Sequence, residues 1–307
     1  MASISRPTPE ILSANLKSKV IIVTGAASGI GYATASLLAQ HGAQVIVVDI
    51  DASKSQAAAE SIGYGAVSKA CNVSSWADQL ELFSWTVSKF SSLDAVICNA
   101  GIDPELTMSL EDGNPLKEKA RGKVFYDFSA DEMEVPGEGQ EARLKAPSDA
   151  VWEVNVKGPI YNLKLGLHYM KRLGKSGRVI LVGSANSYLP LATTPLYCAS
   201  KHAVLGLVRA ASRREDCKEA GITVSMLAPW TTVTPLTEGV LKNIPEGALD
   251  TSVPDDLAWA VGYLCVAAPE LVNGKAIWVQ GKKMTEVEEK FHDFTTALSA
   301  SSEGWTT

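Results

Sequence analysis

Short runs of Val, Ile and Leu recur along the chain, each followed by a longer stretch with helical spacing, and this alternation constrains the fold more than any other feature. Apolar runs at Val20 to Thr24, Gln44 to Asp49, Ala95 to Asn99, Arg178 to Gly183, Thr223 to Ala228 and Ala276 to Val279, with a weaker one at Ala66 to Cys71, read as seven strands. Their centres are apolar without polar alternation, which suits parallel strands covered by helices on both faces. The predicted fold class is therefore α/β, a doubly wound, Rossmann-like, seven-stranded parallel sheet with ligands at the carboxyl ends of the strands. With 307 residues, one domain over 19–281 is expected, preceded by an N-terminal arm at 1–18 and followed by a C-terminal helix and tail at 282–307. In that last segment Val287, Phe291, Phe294 and Leu298 share one helix face. Asp103 to Pro147, rich in charge and broken by four prolines, reads as an insert that is either a solvated loop, a lid or an oligomer contact.

Composition narrows the partners. A formal net charge of −6 offers no basic field for nucleic acid. Residues 1–19 lack the apolar core of a secretory signal, and no apolar run is long enough for a membrane span. The five cysteines are odd in number and lack metal-ligand spacing, so no metal is expected and a reduced, cytoplasmic setting is the default.

Directly after the first strand stands Thr24-Gly25-Ala26-Ala27-Ser28-Gly29-Ile30-Gly31, with a helical pattern beyond it. Such a turn lets backbone N–H groups and a helix N-terminus approach a pyrophosphate. The same glycines are also compatible with a tight connection and nothing more. The second strand ends in Asp49, whose carboxylate can accept from both ribose hydroxyls; a 2′-phosphate there meets repulsion of roughly 4 kcal/mol at contact distance and an effective dielectric near 20. No Lys or Arg lies between Gly25 and Gly31 to offset this. NAD is favoured over NADP, the alternative being that Asp49 only caps the next turn.

Tyr197 and Lys201, at i and i+4, share a helix face. A phenol serves as a base near neutral pH only beside positive charge, and lowering its pKa by ~3 units takes about 4 kcal/mol of preferential phenolate stabilisation. Lys201 together with oxidised nicotinamide can supply it. Ser184, at the end of the strand Val179 to Val182, is placed to donate to a substrate oxygen. His168 and His202, without companion ligands, read as structural.

In this order the motifs resemble the short-chain dehydrogenase/reductase family from Lys19 to Gly281, with weaker similarity to fungal alcohol dehydrogenases of secondary metabolism and to prostaglandin-dehydrogenase-like oxidases. The resemblance implies that Asn99-Ala100-Gly101 stabilises the sheet beside the cofactor, and that Asn155 completes a Ser, Tyr, Lys, Asn tetrad by holding a water in a proton route. It further implies Ile30 near the nicotinamide, Asn72 and Val73 at the adenine, and Ala228-Pro229 with Thr234 around the carboxamide, Tyr197 and Lys201 also touching the cofactor. Asn72 stands where the family has an aspartate and can still accept from the adenine amino group. Trp230 stands where the family has glycine, and either narrows the substrate pocket or packs on the sheet edge. Asn99 and Asn155 are 56 positions apart, about twice the expected separation, so the insert is placed over the cleft.

The expected activity is NAD-dependent interconversion of a secondary alcohol and a ketone on a medium-to-large, partly apolar molecule, in secondary metabolism. A biosynthetic ketone reductase using NADPH or NADH, and a non-catalytic dinucleotide-binding scaffold, are the alternatives. The helices at 148–170 and 197–214 correspond to those that pair between subunits in the family, implying a homodimer or homotetramer.

Overall fold

The computed structural model describes residues 2–108, 133–134, 137, 139, 141–242 and 248–300. The seven expected strands form β2 (Val20–Thr24), β3 (Gln44–Asp49), β4 (Val67–Ala70), β5 (Ala95–Cys98), β8 (Gly177–Val182), β9 (Ile222–Pro229) and β10 (Ala276–Gln280), all parallel, in the order β10-β9-β8-β5-β2-β3-β4. From β2 the chain winds outward through β3 and β4, then crosses back to place β5 on the other side of β2. The reversal between β2 and β5 opens a crevice at the carboxyl edge of the sheet.

Two apolar clusters explain why the strands carry no polar face. Ile21, Val23, Val45, Val47 and Ile97 pack with the helices Gly29–Gln40 and Pro254–Val266 on one side. Val20, Ile22, Ile46, Val48 and Val96 pack with the helices Trp76–Phe90, Gly158–Arg172 and Pro195–Ala211 on the other. Successive strand residues point to opposite faces, and here both faces are dry.

Two short antiparallel strands extend the sheet beyond the seven. β11 (Lys283–Glu286) hairpins back onto β10, and β1 (Ser3–Ile4) pairs with β11. The segments expected to flank the domain as arm and tail therefore join it. Leu12 and Leu16, at i and i+4 of the helix Pro9–Leu16, are fully buried, Leu12 against the helix Pro254–Val266 at Gly262. The C-terminal helix Glu288–Ala300 is anchored by Glu288, which accepts from Arg209 at 2.7 and 3.0 Å and from the Tyr188 hydroxyl at 2.6 Å. Phe291 stacks on Tyr188, whereas Phe294 is exposed. The side chain of Leu298 and residues 301–307 lie outside the described residues.

Most of the expected insert also lies outside them, including 109–132. Of the remainder, β6 (Met133–Glu134) pairs with β7 (Arg143–Leu144) as a small ribbon. The insert's first residues do not behave as a solvated loop: a short helix starts at Pro104, and Asp103 and Leu106 line the crevice.

Candidate active site

The crevice is a cleft of about 710 Å³, within the range of ligand sites. Gly25, Ser28, Gly29, Ile30, Asp49, Asn72, Val73, Asn99, Ala100, Gly101, Ser184, Tyr197, Lys201, Pro229 and Thr234 all line it. Gly31 and Asn155 stand behind the wall and shape it.

At the glycine turn, each residue type answers to a contact. Gly25 has φ +63°, and a Cβ there would sit 2.8 Å from the Ala100 Cα; at Gly31 a Cβ would lie 2.2 Å from the Gly25 carbonyl oxygen. The helix after the turn, Gly29–Gln40, is thereby packed on it, and Ser28 at its N-cap makes no side-chain capping bond of its own. Asn99 fastens the turn from β5, its Nδ2 donating to the carbonyls of Thr24 at 2.9 Å and Gly25 at 3.1 Å. Thr234, in the loop after β9, closes over the turn with its Cγ2 3.3 Å from a Cβ built at Gly29.

Asp49 is partly buried at the end of β3 and accepts from Ala27 N at 3.2 Å and Asp51 N at 3.4 Å. Lys201 is the one basic side chain among the described residues of the cleft wall. Asn72 departs from expectation. Its Oδ1 already accepts from the amide and hydroxyl of Ser74, at 3.0 and 2.8 Å, so the acceptor expected for an adenine amino group is spent on the local turn.

The tetrad residues converge. Lys201 is almost fully buried and donates from Nζ to the Val182 carbonyl at 2.9 Å, and its ammonium lies 5.4 Å from the centre of the Tyr197 ring. Burial pulls the lysine down to about 8, with Asp103 opposing. The Tyr197 phenol moves opposite to the expected direction: burial pushes it up, the Asp103 charge adds to this, and a hydrogen bond with Ser184 only partly opposes them. With burial and the Asp103 charge outweighing the Ser184 hydrogen bond, the phenol is held protonated by the protein alone. Ser184 accepts from Asn186 N at 3.1 Å and starts a 3₁₀ turn, Ala185–Ser187.

Asn155 lies on a π-turn, Glu153–Lys157, inside the long helix, a distortion frequent at functional sites. It grips the strap after β5 from both sides: Oδ1 accepts from Ile102 N, Nδ2 donates to Ile102 O, both at 2.8 Å, and Nδ2 also reaches Ser200 Oγ at 3.2 Å. Trp230 resolves both of its expected placements at once. It lines the cleft and stacks on Trp278 with ring centres 5.6 Å apart, its indole N–H without a partner among the described residues.

Two acids escaped the sequence analysis. Asp103 is 6% and Glu105 2% exposed. Glu105 caps the helix that carries Tyr197 and Lys201, accepting from Leu196 N at 3.2 Å and Tyr197 N at 2.8 Å. Their position two and four residues past Gly101 was the available signal, obscured by the high charge of the segment just beyond them.

A family description, short chain dehydrogenase, matches residues 19–120 and 133–244. The chain belongs to this family. Among short-chain dehydrogenases it is similar to a short-chain dehydrogenase/reductase of Penicillium roqueforti, 29% identical with 95% of this chain and 85% of that one covered. It is also similar to the (+)-cis,trans-nepetalactol synthase of Nepeta racemosa, 31% identical over 92% of this chain and 96% of that one. A solved relative, the 3-ketoacyl-(acyl-carrier-protein) reductase of Brucella melitensis complexed with NADH, superimposes with a TM-score of 0.66 at 28% identity, covering 86% of this chain and 97% of that one. Short-chain dehydrogenases bind a nicotinamide dinucleotide and act on small molecules, and the cleft accommodates both requirements. Among the described residues no helix is long and apolar enough to cross a membrane, and no cluster of His, Cys, Asp and Glu is arranged to hold a metal.

Proposed function

We propose that this short-chain dehydrogenase interconverts a secondary alcohol and a ketone with NAD, on a medium-to-large, mostly apolar molecule of secondary metabolism. The observation that carries the cofactor choice is Asp49 at the end of β3, followed by Asp51, with no basic side chain but the distant tetrad lysine among the described residues of the cleft. A 2′-phosphate would be repelled there; ribose hydroxyls would be bound. Gly25, Ser28 and Gly29 would hold the pyrophosphate at the helix N-terminus, Val73 the adenine, and Ile30, Pro229 and Thr234 the nicotinamide end.

In catalysis Tyr197 exchanges the proton at the substrate oxygen, Ser184 donates to that oxygen, and Lys201 orients the ribose and biases the phenol. The nicotinamide, when bound, would supply the hydride acceptor and a positive charge that adds to that of Lys201 beside the phenol. Asn155 holds the strap that forms the cleft wall and supports the proton route past Lys201. Apolar side chains, among them Leu106, Leu189, Leu191, Trp230 and Leu236, favour a substrate with a large hydrocarbon surface. Oxidation is the favoured direction, since NAD is the oxidising pool. The protein acts as a homodimer or homotetramer in the cytoplasm.

The test is a fluorescence titration with NADH and with NADPH, followed by a panel of cyclic secondary alcohols. Tighter binding of NADH with turnover of any alcohol is expected. Preference for NADPH with ketone reduction would move the protein to the biosynthetic reductases, and binding of neither nucleotide would remove the enzymatic reading.

A further inference from the structure

A carboxylate buried in the wall of an apolar pocket demands a reason. Asp103 lines the cleft together with Ser184, Tyr197 and Lys201, and its place is fixed from both sides. Asn155 clamps the preceding residue, Ile102, through two hydrogen bonds, and Glu105 ties the following turn to the amides of Leu196 and Tyr197. A Cβ built at Gly101 would lie 3.6 Å from Lys201 Nζ, so the strap passes close to Lys201 just before Asp103, and Glu105 holds the Tyr197 amide just after it. Asp103 stands between these contacts, on the wall of the same cleft, and its charge acts on both Tyr197 and Lys201.

Its partners among the described residues are amides of its own turn, Leu106 N at 3.1 Å and Glu105 N. They do not compensate for burial. The carboxyl is pushed up to about 7, chiefly by desolvation with Glu105 adding repulsion, while Lys201 pulls the other way. A buried acid in a cleft, perturbed by desolvation and by named neighbours, is a candidate for contact with a ligand. The cleft wall it shares also carries Ile102, Leu106, Val154, Leu189 and Leu236. Any donor that a substrate brings to this place meets an acceptor in a dry environment, where the bond is strong.

We propose that Asp103 forms a subsite for a second hydrogen-bond donor, a hydroxyl or an amine, carried close to the reacting carbinol of an otherwise apolar substrate. This rests on the reading of the cleft as an alcohol site. It narrows the substrate class from secondary alcohols in general to vicinal diols and amino alcohols, and in the reverse direction to α-hydroxy or α-amino ketones. The bland alternative, that Asp103 only caps the short helix from Pro104, predicts no substrate preference.

Binding can be read without turnover. The full-length protein is saturated with NADH at pH 8.5, where Asp103 is ionised, and dissociation constants are measured by nicotinamide fluorescence for 1-indanol, indane-1,2-diol, 2-amino-1-indanol and 2-methoxy-1-indanol. A hydrogen bond to a charged group is strong enough for the diol and the amino alcohol to bind roughly tenfold or more tightly than indanol. The methoxy compound, whose second group accepts but cannot donate, should gain nothing. Asp103→Ala should erase the preference, the diol and the amino alcohol falling to the affinity that indanol has in the same variant; if that variant does not bind NADH, Asp103→Ser, which keeps a cap for Leu106, serves instead. Equal binding of the four, binding of none, or a preference that survives the substitution overturns the subsite. An affinity loss common to all four compounds also overturns it and makes Asp103 a general electrostatic element. NAD-dependent oxidation of the same alcohols is followed in parallel: preference without turnover would count against the proposed reaction and leave the subsite standing.

Discussion

Among the residues, Tyr197 carries the sharpest prediction. Burial and Asp103 hold its phenol protonated in the protein alone, so it serves readily as the acid of ketone reduction and needs the positive charge of the oxidised cofactor to serve as a base. Tyr197→Phe should lower kcat by about 10²- to 10⁴-fold, the usual worth of a positioned acid/base, with the NADH dissociation constant within twofold of wild type. Retention of half the activity would remove the phenol from the mechanism. Asp49 tests the cofactor choice: Asp49→Ala removes the acceptor for the ribose and the repulsion of a 2′-phosphate together, so the ratio of NADPH to NADH affinity should rise by tenfold or more, and an unchanged ratio would mean that the ribose is read elsewhere. Asp103 yields a pH test with a definite sign. Its carboxyl titrates near 7 in the folded chain and near 3.8 otherwise, so the folded state binds the extra proton between those values. Asp103 therefore costs nothing below pH 3.8, and its cost grows with pH up to about 7, to several kcal/mol at most. Asp103→Asn should raise Tm more at pH 8 than at pH 5; an equal shift at both pH values would contradict the titration.

At the level of elements, the helix Pro195–Ala211 shows how a site is assembled from unrelated segments. Its first turn offers few free amides, because Pro195 has none and Cys198 N is bonded to the Thr194 carbonyl at 2.9 Å. The two left, Leu196 N and Tyr197 N, both donate to Glu105, a distant carboxylate doing what the N-cap Thr194 side chain does not. A negative group is also favoured by the helix dipole there. Glu105→Gln exchanges one acceptor for a donor that opposes a backbone N–H. It should lower kcat about tenfold, raise hydrogen exchange at Leu196 and Tyr197, and leave NADH binding within twofold. Unchanged exchange and kcat would show the cap to be dispensable. The helix itself was legible from its apolar spacing, as were the glycine turn and its helix, because those signals are local. Glu105 and Asp103 were not, since their meaning depends on a strap folded back over a helix some ninety positions away.

For the molecule as a whole, assembly is the property to test. Trp152 and Ile160, 37% and 43% exposed, lie on the long helical stretch from Ala150 to Arg172 that is expected to pair between subunits. Trp152→Glu with Ile160→Glu should convert a dimer or tetramer into a smaller species in sedimentation, without loss of the folded monomer; unaltered mass would move the interface elsewhere. The nine-stranded sheet contains the seven parallel strands that the apolar runs announced, and adds β1 and β11, two and four residues long. Strands that short carry no periodicity to read, and only hydrogen bonding, of β11 to β10 and of β1 to β11, makes them strands. By itself the amino-acid sequence determined the doubly wound sheet and the glycine turn and pointed to Asp49, Ser184, Tyr197 and Lys201, because each is written in spacing along the chain or in chemistry that few residues can perform; Asn155 was legible only through the family resemblance. Only the tertiary structure decided that Lys201 donates to Val182, that Asn72 turns its acceptor on Ser74, that Trp230 stacks on Trp278, and that Asp103 and Glu105 enter the site. Those outcomes depend on burial and on contacts between segments far apart in the chain, which spacing does not encode.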